Sequence, residues 1–243
     1  MKIHIVGDSH SAYSYENLAS SEIYWLGPVT MHRCARDGFE FLDDILRDAS
    51  KGDYLITVFG EIDIRCHIAR AALKQNRSIE DVVLELATLY VDRLAGYAHP
   101  RGINVIVSEP LFPANRRPNP ELPFVGTIEE RVYIHGIMGR NLSDQCKKRG
   151  LQFLPMPQKY RSPEGLLRRK YSDDGVHIVP CEAIYIIRSL RKYVKGDLIF
   201  NYQYGTFIKR RWNYFWGGPL RRKGLPLTKP VPLSHFFIDK GSK

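Results

Sequence analysis

Apolar and polar positions alternate along this chain in short bursts and longer stripes. Residues 2–6 carry Ile3, Ile5 and Val6 and run into the polar turn Gly7-Asp8-Ser9-His10, the pattern of a short buried strand. Glu22 to Leu26 predicts a second strand. Phe39, Leu42, Ile45, Leu46 and Ala49 fall at helical spacing behind Asp37, which predicts a helix capped there. After the break at Gly52-Asp53, Tyr54 to Phe59 is an almost unbroken apolar run, as in a strand covered on both faces.

The alternation continues. Ser78-Ile79-Glu80-Asp81 fits a capping box, and Ile79, Val82, Val83, Leu86, Leu89, Tyr90 and Leu94 form one helical stripe behind it. Ile103 to Val107 predicts the next buried strand. Thr127-Ile128-Glu129-Glu130 starts a second capped helix that runs to Arg149-Gly150. A last strand is expected at Gln152 to Leu154, and a last amphipathic helix at Cys181 to Tyr193 behind Pro180. Strands alternating with helices predict an α/β fold with a parallel sheet and helices on both faces. Right-handed crossovers gather the carboxyl ends of the strands at one edge, where such sheets place ligands. Two long loops interrupt the order, Glu109 to Gly126 with Arg116 and Arg117, and Pro155 to Asp173 with Lys159, Arg161, Arg168, Arg169 and Lys170. Loops of that length in a compact domain are usually functional or disordered.

Charge divides the chain. Its 243 residues carry a net charge of +10, but from Gly196 onward there are nine Lys/Arg and only two Asp/Glu. The body is close to neutral, which argues against a nucleic-acid partner for the protein as a whole. We therefore expect a domain over 1–195 and a basic, aromatic extension over 196–243, which holds ten of the 28 aromatics. Cations interleaved with Trp and Tyr around Lys209-Arg210-Arg211-Trp212 suit an anionic partner or a membrane surface. An extension packed on the body, burying those rings, is the other reading. Cys34, Cys66, Cys146 and Cys181 have neither a C-x-x-C pair nor zinc-ligand spacing, so no metal or other cofactor is expected. The chain reaches its first motif at once and has no apolar run fit to span a bilayer, which predicts a cytoplasmic protein.

The chemistry lies at the two ends of the body. Gly7-Asp8-Ser9-His10 follows the first strand directly, where a tight strand-to-helix turn exposes a Ser hydroxyl. Asp174-Gly175-Val176-His177 comes late, just before the last helix of the body. A hydroxyl nucleophile needs a base in hydrogen-bond reach, and the base needs an orienting acceptor. Asp and His three residues apart can supply both.

These two blocks, in this order in an α/β chain, resemble the SGNH hydrolases, the GDSL-type esterases and lipases. The resemblance covers about residues 1–195 and implies a three-layer α/β/α sandwich with a central parallel sheet of about five strands. It implies Ser9 as nucleophile, His177 as general base and Asp174 as the residue that orients it. It also implies an oxyanion glycine, for which Gly38 is the candidate. The block that normally reads G-x-N-D stands here as Gly60-Glu61-Ile62-Asp63, so Ile replaces an oxyanion-donating Asn. Arg65 is the nearest side chain able to make up the donor, with Glu61 or Asp63 holding it; the rival reading is an Asp63–Arg65 ion pair that only anchors the loop.

The function expected is a serine esterase acting on acyl esters of small molecules or glycans, foremost an O-acetylated carbohydrate. Two rivals stand beside it. One is an O-acyltransferase of the same fold that passes the acyl group to a sugar in polysaccharide biosynthesis. The other is a non-catalytic module that binds carbohydrate or phosphate.

Overall fold

The computed structural model describes residues 1–114, 123–172, 174–202 and 204–216, with backbone alone at 210, 211 and 213–216. Arg116, Arg117 and the extension beyond 216 lie outside the described residues. Five strands, β1 (Ile3–Gly7), β2 (Glu22–Trp25), β3 (Tyr54–Val58), β4 (Asn104–Ser108) and β5 (Gln152–Leu154), form one sheet in the order β2-β1-β3-β4-β5. Every pairing is parallel. The helices are α1 (Ser9–Tyr15), α2 (Met31–Asp37), α3 (Ile68–Gln75), α4 (Ile79–Ala98), α5 (Ile128–Arg149), α6 (Ile184–Leu190) and α7 (Tyr204–Trp216).

Strand alternation divides the core in two. Val6, Leu55, Val105 and Val107 face one side and pack with α2, α4 and α5 through residues such as Cys34, Tyr90, Leu94 and Met138. Ile3, Ile5, Tyr54, Ile56 and Ile106 face the other and pack with Tyr15, Ile186, Ile187 and Leu190 of α1 and α6. Side chains two apart share a face of a strand, so β-branched residues in both phases commit the sheet to cover on both sides. The result is the three-layer α/β/α sandwich expected.

Local signals explain most helix ends. Thr127 and Glu130 form the full reciprocal capping box at the start of α5. Ser78 caps α4 by accepting the Asp81 amide at 3.0 Å. One expectation fails. The helix predicted from Phe39 to Ala49 is a 3₁₀ turn at Glu40–Leu42 followed by further turns. The regular helix lies before it, in α2, capped by Thr30 and ended at Gly38. The apolar positions in 39–49 suit a tight 3₁₀ period as well as 3.6, and Asp43, Asp44 and Asp48 favour helices poorly. Phe39, Leu42 and Leu46 are nevertheless buried, so the pattern reports burial correctly and the element wrongly. The last helix of the body is also shorter than expected, a 3₁₀ turn at Pro180–Glu182 and then α6.

The chain continues to touch the body past residue 195. Leu198 is buried, Asn201 donates its amide to the Asn17 carbonyl at 2.8 Å, and Phe200 bridges to Leu18. On α7, Tyr204, Ile208 and Trp212 are exposed.

The sheet sets the position of the first motif. β1 and β3 run so close at Gly7 that a Cβ there would meet the Val58 carbonyl oxygen and lie 2.9 Å from the Val58 Cβ. Gly7→Ala is expected to cost about 1–3 kcal/mol through this overpacking. Urea unfolding, read as a lower midpoint at unchanged slope, measures it.

Candidate active site

The strand order reverses between β1 and β3. The chain leaves β1 for β2 on one side, and leaves β3 for β4 on the other. A crevice opens at such a switch point beyond the carboxyl ends of the strands. The turn after β1 puts Ser9 there, and the turn after β3 puts Glu61 to Arg65 there.

Asp8 makes the first turn. Its amide donates to the Val58 carbonyl at 3.2 Å, and its side chain caps α1 by accepting the His10 amide at 2.8 Å. Ser9 is then the first residue of α1. Its Oγ lies 2.7 Å from His177 Nε2, and His177 Nδ1 lies 2.5 Å from Asp174 Oδ2. Ser9, His177 and Asp174, 168 residues apart at the extremes of the first contact, thus form one hydrogen-bonded line.

Asp174 is anchored by its own turn. Its Oδ1 accepts the amides of Val176 at 2.7 Å and His177 at 2.8 Å, and the Ser172 hydroxyl at 3.1 Å. Ser172 in turn accepts the Gly175 amide at 2.8 Å. Burial alone would raise the Asp174 carboxyl; the bonds from His177 and from the backbone overcome it and hold the group well below the usual carboxylate range. It is therefore an anion at neutral pH, and it accepts the hydrogen bond from Nδ1–H. Burial lowers His177 below the ordinary imidazole value, and the nearby charge of His10 lowers it further, against the pull of Asp174. A neutral ring with Nδ1–H bound to Asp174 leaves the Nε2 lone pair facing the Ser9 hydroxyl.

Two aromatic neighbours of the base are not apparent in the sequence pattern. The Tyr13 ring stacks on His177 at 4.3 Å between centroids, 17° from parallel. The His10 ring lies 4.6 Å away, tilted by 39°. Both come from α1, three residues apart and hence on one face. That spacing, starting one residue after Ser9, was the available signal. An aromatic face against the ring favours the imidazolium that forms once His177 takes a proton.

In the acidic segment after β3, Glu61 holds Arg65, one of the two carboxylates expected to do so. Arg65 Nε donates to Glu61 at 2.9 and 3.1 Å, and Nη1 donates to the Pro123 carbonyl at 3.0 Å. The Arg65 carbonyl accepts the Val125 amide at 2.8 Å. Arg65 is thus an anchor for the strand-end turn and for residues 123–125, and its ion-pair partner is Glu61 instead of Asp63. Asp63 is fully buried and accepts the Met31 and His32 amides at 2.7 and 3.1 Å, holding the start of α2. Burial drives its carboxyl up to about 7, against those two bonds.

Gly38 also moves out of the role the sequence suggested. It closes α2 at φ +87°, and its amide donates to the Cys34 carbonyl at 2.9 Å. That donor is already committed to the helix end. The glycine at a strand end beside β1 is Gly27, buried, just after β2 and at φ +74°. Trp25 pairs with Gly7, and the Leu26 amide donates to the Gly7 carbonyl at 2.9 Å, which fixes Gly27 next to the first motif. Cys34, Cys66, Cys146 and Cys181 are all buried and in the reduced form. No group of three His, Cys, Asp or Glu side chains among the described residues has the placement to hold a metal ion. No helix among them is long and apolar enough to cross a membrane.

No protein-family model matches the sequence, and no curated protein does. The fold does find relatives. A GDSL-like lipase from Bacteroides thetaiotaomicron superposes with a TM-score of 0.54 at 16% identity, over 79% of this chain and 85% of that one. An acylhydrolase structure from Bacteroides fragilis gives 0.55 at 14% identity, over 79% and 84%. An acetylxylan esterase from Geobacillus stearothermophilus gives 0.51 at 12% identity, over 81% and 94%. The chain has the fold of the GDSL/SGNH hydrolases.

The Arg65–Glu61 pair is buried on both sides, so removing one partner strands the other charge in the interior. Arg65→Ala is expected to cost about 3–5 kcal/mol. Arg47→Ala, which breaks an exposed pair with Asp44, is expected to cost less than about 0.5 kcal/mol. Urea unfolding of the two variants side by side measures the contrast.

Proposed function

We propose that this protein is a serine hydrolase of SGNH type that cleaves acyl esters, with Ser9 as nucleophile, His177 as base and Asp174 as its orienting anion. The observation that carries this reading is the continuous line from Ser9 Oγ through His177 to Asp174, at 2.7 and 2.5 Å. Its place at the switch point of a sheet with the fold of known ester hydrolases supports it.

In the first half-reaction, Ser9 Oγ attacks the acyl carbonyl carbon while its proton passes to His177 Nε2. The carbonyl electron pair moves onto oxygen. When it returns, the bond to the leaving alkoxide breaks, and His177 gives that alkoxide the proton. Water then repeats the sequence on the acyl-Ser9 ester, with His177 again as base. Asp174 stays ionised throughout and stabilises the imidazolium. We assign the developing oxyanion to the Ser9 amide at the start of α1, with Gly27, just past β2, as the candidate for a second donor.

For the substrate we propose an O-acetylated carbohydrate. The reading is supported by the polar, cationic composition of residues 155–173, with Lys159, Arg161, Arg168, Arg169 and Lys170, and by a fold relative that is an acetylxylan esterase. Acetate release from acetylated xylooligosaccharides should exceed hydrolysis of long-chain p-nitrophenyl esters. A preference for long chains would overturn this substrate class. Acetyl transfer to an added sugar in place of acetate release would move the reading to an acyltransferase.

Ser9→Ala should abolish both p-nitrophenyl acetate hydrolysis and labelling by a fluorophosphonate, with the melting temperature retained. Asp174→Asn should lower kcat by a factor on the order of 10⁴, because the base is left in the wrong tautomer. Full labelling of Ser9→Ala would sink the proposal.

The pH profile follows from His177. Its neutral form is the active one, and its value lies below the ordinary 6.5. Activity should therefore hold as pH falls to 6.5 and be lost only below it. A rate already half lost at pH 7 would contradict this assignment.

A further inference from the structure

One buried group at this site has no part in the mechanism above. His10 is 4% exposed, and its Nδ1 lies 3.0 Å from Asp8 Oδ1. Its Nε2 and the second Asp8 oxygen are both buried with no hydrogen-bond partner among the described residues. A polar pair left half-satisfied in the interior costs stability, since each unpaired atom forfeits its bonds to water. A leucine or other apolar residue would fill this position on α1 without that cost. The compensation must lie in what the pair touches, and what His10 touches is the ring of the base, at 4.6 Å.

Resting on the esterase reading above, we propose that His10, fixed on Asp8 as a buried cation, is a positioning residue that holds His177 in its neutral, proton-accepting form. The physics is like-charge exclusion. Two imidazolium rings in contact, away from water, cannot both be charged without a large Coulomb cost. The ring that holds a charge at rest keeps the other neutral until a proton arrives from Ser9, when Asp174 serves as the counter-ion.

The surroundings decide which ring that is. Burial alone would lower His10; the Asp8 carboxylate beside it, by charge and by hydrogen bond, and Glu61 beyond, raise it to about 9, with Arg65 opposing. His177 faces Asp174 on its own loop, His10 on α1 and Glu61 on the turn after β3, and its balance falls below the ordinary value. Tyr13 covers one part of the ring, and its phenol is raised by burial and by Asp174, so it carries no charge in the working range. His10 is then the resident cation from acid pH to about 9. His177 stays free to accept the Ser9 proton at pH values where an isolated imidazole would already be protonated.

The test removes the charge and keeps the hydrogen bond. His10→Gln retains an amide able to donate to Asp8. Asp8→Asn reaches the same end by a second route, since it takes away the anion that keeps His10 charged. Two readouts apply: the acid limb of kcat/KM for p-nitrophenyl acetate, and the His177 ring titration followed by ¹H–¹⁵N NMR, which needs no turnover. Losing a neighbouring positive charge makes His177 easier to protonate, so its midpoint should rise in both variants by about one to two pH units. The acid limb should move up with it. A His177 midpoint equal to that of the wild type in both variants overturns the proposal. So does a rate lowered equally at all pH values with the acid limb unmoved, which is the mark of a purely structural role. Wild-type protein that titrates as expected but is neither labelled by fluorophosphonate nor active would remove the esterase reading on its own. The electrostatic link between the rings would then stand without a reaction to serve.

Discussion

The site depends on one close approach, that of Gly7 at the end of β1 to Val58 at the end of β3. With no side chain between them, the Asp8 amide reaches the Val58 carbonyl, and the chain turns sharply out of the sheet. That turn leaves the Asp8 side chain able to cap the helix it starts. The cap places Ser9 as the first residue of α1, with its hydroxyl at the strand-end edge. A bulkier residue at position 7 would spread the two strands and displace the nucleophile together with its cap. Packing and chemistry therefore rest on the same contact.

The turn after β3 illustrates how charged residues at a site divide their labour. Glu61, Asp63 and Arg65 lie within five positions, and all three are buried. None of them forms a hydrogen bond with Ser9 or His177. Asp63 reaches sideways to the start of α2 and ties the turn to the layer on one face of the sheet. Glu61 and Arg65 hold each other, and Arg65 holds the carbonyl of Pro123. Breaking such a pair is costly even where the pair itself adds little net stability. The segment thus fixes the wall of the crevice, and its charge reaches the two histidines only through space.

Much of this was legible in the sequence. The apolar runs announced five strands, and the boundaries at Tyr54, Ile103 and Gln152 fall within a residue of those observed. Capping residues at Ser78 and Thr127 located the two long helices. The residues of the Ser9, Asp174 and His177 line were legible because each sits in a short motif whose side chains must act together. What stayed hidden depends on direction. The i, i+4 spacing of Glu61 and Arg65 permits their ion pair, but spacing does not say what else the guanidinium reaches, and the Pro123 carbonyl lies 58 residues along the chain. Gly38 looked like an available donor because its amide is spent on a helix, α2, that the apolar pattern did not announce: Met31 to Asp37 holds only three buried residues. His10 and Tyr13 read as ordinary members of a helix until the loop carrying His177 is folded over them.

Two Asp–His pairs meet at this site, Asp8 with His10 and Asp174 with His177, and similar contacts leave them in opposite states. Burial weighs on both rings; at His10 the charge and hydrogen bond of Asp8 and the charge of Glu61 overcome it, whereas at His177 burial and the charge of His10 prevail over Asp174. Asp174 spends one oxygen on two amides and a hydroxyl and the other on His177, and these bonds hold it as an anion. Asp8 accepts the His10 amide and ring on one oxygen and leaves the other unpartnered among the described residues, so its charge falls mainly on His10. The two rings then compete directly, because 4.6 Å of separation makes their titrations a single coupled event. The better-supported cation wins, and the ring facing Ser9 is left with its lone pair. The backbone amides of the 174–177 turn therefore act on the chemistry at one remove: they help hold Asp174 as the anion that meets the imidazolium when His177 takes the proton of Ser9.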